Sequence, residues 1–206
     1  FRSKKMPGAK WFPGSKLNYA ENLLKYRDNR PAIHFKGEGQ PTQTYSYSDL
    51  YNEVEQLAHS LRELGVKKGD RVAGFIPNMP QAIIAMLATA SIGAIWSSSS
   101  PDFGIKGVLD RFTQIEPKVI FAANGYYYNG KSFDSLDKLS NILKSLPSIE
   151  KVIIVGYSEN KPQVSHIDNA VHYSEFLSTS PEPLIFEQLP FDHPLYIMYS
   201  SGTTGL

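Results

Sequence analysis

R-V-A-G-F-I-P-N-M-P-Q-A-I-I-A-M-L-A-T-A-S-I-G-A-I-W-S-S-S-S, residues Arg71 to Ser100, changes its apolar pattern twice, and those changes decide the fold. R-V-A-G-F-I is short and continuously apolar, which predicts a buried strand. Asn78 to Ile92 predicts a helix that is apolar on nearly every side, and Ala94 to Ser97 a second strand. The run from Ala82 to Trp96 includes Thr89, Ser91 and Gly93 and is shorter than the roughly 20 residues a bilayer requires. It is therefore a core unit and not a membrane span.

The same alternation continues downstream. Asp102 to Ile115 predicts a helix ended by Pro117, and V-I-F-A-A (119–123) a strand. Ser135 to Leu146 predicts a helix with Leu136, Leu139, Ile142, Leu143 and Leu146 inward, and K-V-I-I-V-G (151–156) another strand. A weaker helical stretch, Tyr173 to Leu177, precedes a last strand at Leu195 to Tyr199. Strands that are apolar throughout and alternate with helices imply an α/β fold, a mostly parallel sheet flanked by helices. Ligands of such sheets lie at the carboxyl ends of the strands.

Upstream, Leu50, Val54, Leu57, Leu61 and Leu64 recur at helical spacing, with Ser48 as the expected cap, Asp49 in the first turn and Gly65 as the stop. His59 and Arg62 lie off that stripe and are read as solvated. Ala32 to Phe35 and Thr44 to Tyr47 predict two strands joined by a plain turn, G-E-G-Q-P. In the N-terminal arm, Pro13-Gly14 turns the chain into a short helix bearing Leu17, Ala20, Leu23 and Leu24.

Beyond the last strand the chain reads Ser200, Ser201, Gly202, Thr203, Thr204, Gly205, Leu206. Glycines let several backbone N–H groups turn toward one anion while the hydroxyls donate from the same side, so this is a candidate phosphate loop. It carries no charge, so a metal ion or a basic residue must come from elsewhere. It is not a Walker loop, since no Lys follows Gly205, and no G-x-G-x-x-G occurs. Two other stretches follow strand ends. Ser97 to Ser100 can line a site or serve as a polar loop capping the next helix. Tyr126 to Tyr128, with Asn129, Gly130 and Lys131 in a long loop, suits a nucleotide or CoA phosphate, or plain surface packing.

A formal net charge of +1 and a pI near 8.0 argue against a nucleic-acid surface or a polybasic membrane anchor. The absence of Cys removes disulfides and thiolate chemistry, and the five His lack ligand spacing, so no metal site is expected. Pro7, Gly8 and Pro13 interrupt the N-terminus and no apolar segment follows, which predicts a cytoplasmic protein without a secretory signal.

W-F-P-G-S-K-L-N-Y-A-E-N-L-L, G-V-K-K-G-D-R-V-A-G-F-I-P-N, G-A-I-W-S-S-S-S-P-D-F-G and P-L-Y-I-M-Y-S-S-G-T-T-G-L occur in an order that resembles the short-chain acyl-CoA synthetases of the adenylate-forming superfamily. The W-S-S-S-S-P-D-F-G wording points within that family to the acetoacetyl-CoA synthetases. The resemblance implies activation of acetoacetate by ATP with Mg²⁺, followed by transfer to CoA. It implies that Ser200 to Gly205 hold the β and γ phosphates, with Ser201, Thr203 and Thr204 as side-chain donors in a loop that orders on ATP, and that Lys131 meets the CoA 3′-phosphate. Residues 1–30 would be an N-terminal arm and 31–206 an incomplete AMP-binding domain. The adenine, ribose and acyl pockets and the catalytic Lys of the family lie outside these residues. The expectation is therefore an inactive N-terminal fragment without catalytic residues, prone to self-association through apolar surface. A ligase for acetate, propionate or butyrate, and a non-catalytic binding or dimerisation module, stay open as alternatives.

Overall fold

The computed structural model describes residues 8–200. The chain begins with β1 (Lys16–Leu17), α1 (Tyr19–Leu23), the antiparallel pair β2 (Pro31–Phe35) and β3 (Gln43–Ser46), and α2 (Tyr47–Glu63). The alternating part follows as β4 (Arg71–Phe75), α3 (Pro80–Ile92), β5 (Ile95–Ser99), α4 (Ile105–Ile115) and β6 (Val119–Ala123). A hairpin, β7 (Gly125–Tyr128) and β8 (Lys131–Asp134), leads to α5 (Leu136–Leu143), β9 (Lys151–Val155), β10 (Ala170–His172), α6 (Tyr173–Phe176) and β11 (Leu189–Pro190).

β10, β9, β6, β4 and β5 form one five-stranded sheet in that order, every pairing parallel. The alternation of apolar side chains explains why both faces must be covered. Val72, Val119, Phe121, Ala123, Ile153 and Val155 face the layer that holds α2 and α3, while Ala73, Phe75, Ile120, Ala122, Val152 and Ile154 face α4 and α5. Phe75, Phe112 and Phe121 are fully buried, each contributing about 1.5–3 kcal/mol. The sheet has a switch point at β4. The α3 crossover leaves it toward β5, and the next crossover returns past it to β6.

Several boundaries differ from the pattern reading. α2 is capped by Ser46, not Ser48: the Ser46 Oγ accepts from the Asp49 N–H (3.0 Å) and the Asp49 carboxylate accepts from the Ser46 N–H (2.9 Å). This reciprocal pair requires the S-x-x-D spacing that only Ser46 has. The four serines do not cap α4, whose N-cap is Gly104; Ser97 and Ser99 instead extend β5. The Tyr126 loop is a hairpin, closed by Asn129 and Gly130 at φ +51° and +75°. An Asn-Gly pair between strands favours that turn. Only Ala20 and Leu24 of the arm's apolar set are buried; Leu17 and Leu23 are half exposed. His59 and Arg62 are not merely solvated. His59 Nδ1 accepts from the Glu182 N–H (3.2 Å) and Arg62 donates to the Ile185 carbonyl (2.6 Å), tying the 182–185 segment to α2.

Candidate functional site

The carboxyl ends of β4, β5, β6 and β9 share one edge of the sheet, and the last described segment joins them there. Trp96 and Tyr196 form a parallel bridge, with Trp96 N–H donating to the Leu195 carbonyl (3.1 Å) and Ile197 N–H to the Trp96 carbonyl (2.9 Å). Residues 195–199 thus run along the outer side of β5 as a rudimentary sixth parallel strand. The Ser97 hydroxyl fixes the register by donating to the Ile197 carbonyl (2.9 Å). With Tyr196 opposite Trp96, Tyr199 comes level with Ser99, where β5 ends. Ser200 is exposed and leaves at the carboxyl edge, about 10 Å, or two strand spacings, from the switch-point strand β4.

Ser200 is the only residue of the predicted loop within the described region; Ser201, Gly202, Thr203, Thr204 and Gly205 lie outside it. The segment that launches the loop is firmly held. Ile197 and Tyr199 pack on the α4 and α5 side, and the Tyr199 hydroxyl donates to the Arg111 carbonyl (2.7 Å). Burial raises the Tyr199 phenol above its ordinary range, so it remains a donor at neutral pH. On the opposite face the Tyr196 hydroxyl donates to Met86 Sδ (2.9 Å).

Arg111 is a residue the pattern reading overlooked. Its guanidinium carbon lies 4.7 Å from the Phe103 ring centroid and 5.5 Å from that of Tyr199. Phe103 belongs to the loop after β5, which Lys138 of α5 anchors by donating to the Pro101 and Phe103 carbonyls (2.7 and 3.2 Å). No sequence spacing signals this cluster, because its members come from four separate parts of the chain. Asn18 is the other omission. Its side chain accepts from the Ala20 and Glu21 N–H groups and donates to the Ala90, Ser91 and Glu187 carbonyls. Its position just ahead of a helix was the available signal.

Lys131 is exposed, opposite Tyr128 at the closed end of the β7–β8 hairpin. It stands on the same edge as Ser200 but beyond β6, three strand positions from residues 195–199. Tyr126 stacks on Phe133 at 5.1 Å and Tyr127 lies 6.1 Å from the Tyr157 ring, so both pack, whereas Tyr128 is 70% exposed. A cleft of about 390 Å³ beside the hairpin is lined by Asp134, Asp137 and Glu159. Those carboxylates disfavour an anion there.

The family model described as AMP-binding enzyme matches residues 20–206. The chain is 51% identical over 203 residues to an acetoacetyl-CoA synthetase of Macaca fascicularis, covering 95% of this chain and 30% of that protein. It is 40% identical over 212 residues to a malonamoyl-CoA synthetase of Penicillium aethiopicum, covering 97% of this chain and 29% of that protein. Its structure superposes on the acetoacetyl-CoA synthetase from Streptomyces lividans with a TM-score of 0.88 at 43% identity, over 98% of this chain and 31% of that one. The chain thus spans about 30% of the length of the curated relatives it matches. Sequence motifs, a parallel sheet with a switch point, and a match over residues 20–206 agree that this chain belongs to the AMP-binding enzyme family.

Proposed function

We propose that this chain is the N-terminal part of an AMP-forming acetoacetate:CoA ligase, with residues 1–30 as an arm and 31–206 as part of the AMP-binding domain. The observation that carries the reading is its 51% identity, over 95% of its length, to a protein named acetoacetyl-CoA synthetase. In the first half-reaction an acetoacetate oxygen attacks the α-phosphorus of ATP, an O–P bond forms, and pyrophosphate leaves. In the second, the CoA sulfur attacks the acyl carbon, a proton is lost from the thiol, and AMP departs.

The role of residues 200–205 is to hold the β and γ phosphates by hydroxyls and backbone N–H groups as pyrophosphate becomes the leaving group. Ser201, Thr203 and Thr204 are the side-chain donors. Mg²⁺ is proposed to accompany the ATP phosphates. Mg²⁺ supplies charge neutralisation there. Lys131, exposed at the hairpin end, serves the CoA 3′-phosphate, away from the acidic cleft beside β8. The 206 residues include no assigned catalytic side chain, and the chemistry belongs to the longer protein. Cytoplasmic work is part of this proposal; among the described residues no helix is long and apolar enough to cross a membrane.

Pyrophosphate exchange by the full-length protein, compared across acetoacetate, acetate, propionate and butyrate, tests the substrate. Acetoacetate is expected to lead by at least about tenfold in kcat/KM, the discrimination a site gains by pairing an extra polar group. Equal use of acetate would overturn the acid assignment. The malonamoyl-CoA synthetase relative favours a second reading, in which another short acid takes the place of acetoacetate. A binding or dimerising role is supported by the exposed apolar side chains Phe12 (60%) and Met198 (84%), through which this chain would self-associate.

A further inference from the structure

We propose that Arg111 is a positioning residue for the loop at 200–205, acting through a clasp with Phe103 and Tyr199; this rests on the reading of that loop as the phosphate cradle. Tyr199 is the residue immediately before the loop, and it is held twice by one partner. Its ring faces the Arg111 guanidinium at 5.5 Å, and its hydroxyl donates to the Arg111 carbonyl at 2.7 Å. A ring fixed in plane and at its tip leaves the backbone at Tyr199 little freedom, so Ser200 departs in a set direction.

The other half of the clasp reaches the loop after β5. Phe103 lies 4.7 Å from the same guanidinium, and its carbonyl accepts from Lys138 at 3.2 Å. The stack lies directly over Gly107, where a Cβ would stand in ordinary contact with Arg111 Nη1 (3.5 Å) and Phe103 Cδ1 (3.6 Å). Phe103, Arg111 and Tyr199 therefore join the loop after β5 and the segment 195–199 into one unit. Arg111 donates to the Gly107 carbonyl of its own helix and, among the described residues, has no carboxylate within ion-pair distance. Its charge is held by aromatic faces, an arrangement suited to Arg and poorly met by Lys.

The test uses the full-length protein with Arg111→Ala, Arg111→Lys and Tyr199→Phe, read by deuterium uptake over 199–205 and by pyrophosphate exchange at varied MgATP. Arg111→Ala is expected to raise uptake over 199–205 while leaving β4 and β6 unchanged. Its kcat/KM for MgATP should fall by about tenfold or more, in the range of the roughly 100-fold that a 1 Å misplacement costs, with the KM of the acid unaltered. Arg111→Lys should recover only part, and Tyr199→Phe should show a smaller change of the same sign. Exchange by Arg111→Ala within about twofold of wild type, or a loss accompanied by uniform uptake across the sheet, would overturn the proposal. If Arg111→Ala does not fold, Tyr199→Phe decides, and wild-type uptake and kinetics in that variant would overturn it. A wild-type protein that exchanges no pyrophosphate with any acid would defeat the ligase reading, whereas the uptake comparison still judges the clasp.

Discussion

Asn18 ties the arm to two distant parts of the chain. It is 3% exposed and makes five hydrogen bonds, two capping α1 and three reaching α3 and the segment before β11. Asn18→Ala would remove the cap of α1 and one donor to the Ala90 carbonyl, which keeps the Gly93 N–H, at a cost of about 1–3 kcal/mol readable by urea denaturation. A change below about 0.5 kcal/mol would refute this role. Glu53 carries a different prediction. Burial raises its carboxyl above the ordinary 4.5, opposed by a 2.8 Å hydrogen bond from Tyr173. A raised folded pKa means that the native state holds a proton the unfolded chain has lost. Its favourable contribution is full below the unfolded value and disappears as pH rises through the folded one. Glu53→Gln should therefore flatten the pH dependence of Tm above about pH 4.5 and raise Tm at pH 7. Parallel Tm profiles for the two proteins would contradict it.

The elements were legible to different degrees. α3 and the strands β4, β6 and β9 announce themselves, because a residue buried on both faces of a sheet must be apolar whatever its neighbours are. The β7–β8 hairpin was hidden by its tyrosines, although Asn129-Gly130 carries the turn signal. β10 spans three residues and β1 and β11 two each, too short for any periodicity to register. The strand at 195–199 was expected, yet it is paired by a single bridge, with Trp96. Among the described residues its outer side pairs with no strand, and Met198, on the same face as Tyr196, is 84% exposed. Unpaired edges template association. Sedimentation of the 206-residue chain should show concentration-dependent dimers, weakened by Met198→Lys; a monomer throughout the micromolar range would contradict this.

In the whole molecule, the parallel sheet converts the order of the chain into a place for chemistry. β4 lies at the switch point, β5 beside it, and residues 195–199 bring Ser200 to the same edge. That convergence could be read from the alternation of strands and helices, since every parallel strand delivers its following loop to one side. The Arg111 clasp and the Asn18 junction could not, because they depend on which helices face each other across the sheet. The most direct measurement is pyrophosphate exchange with acetoacetate by the full-length protein and its Thr203→Ala/Thr204→Ala variant. The variant should lose about 100-fold or more in kcat/KM for MgATP with the acid KM unchanged, as removal of phosphate donors requires. Exchange that is undiminished in the variant would contradict the assignment of residues 200–205 to the phosphates.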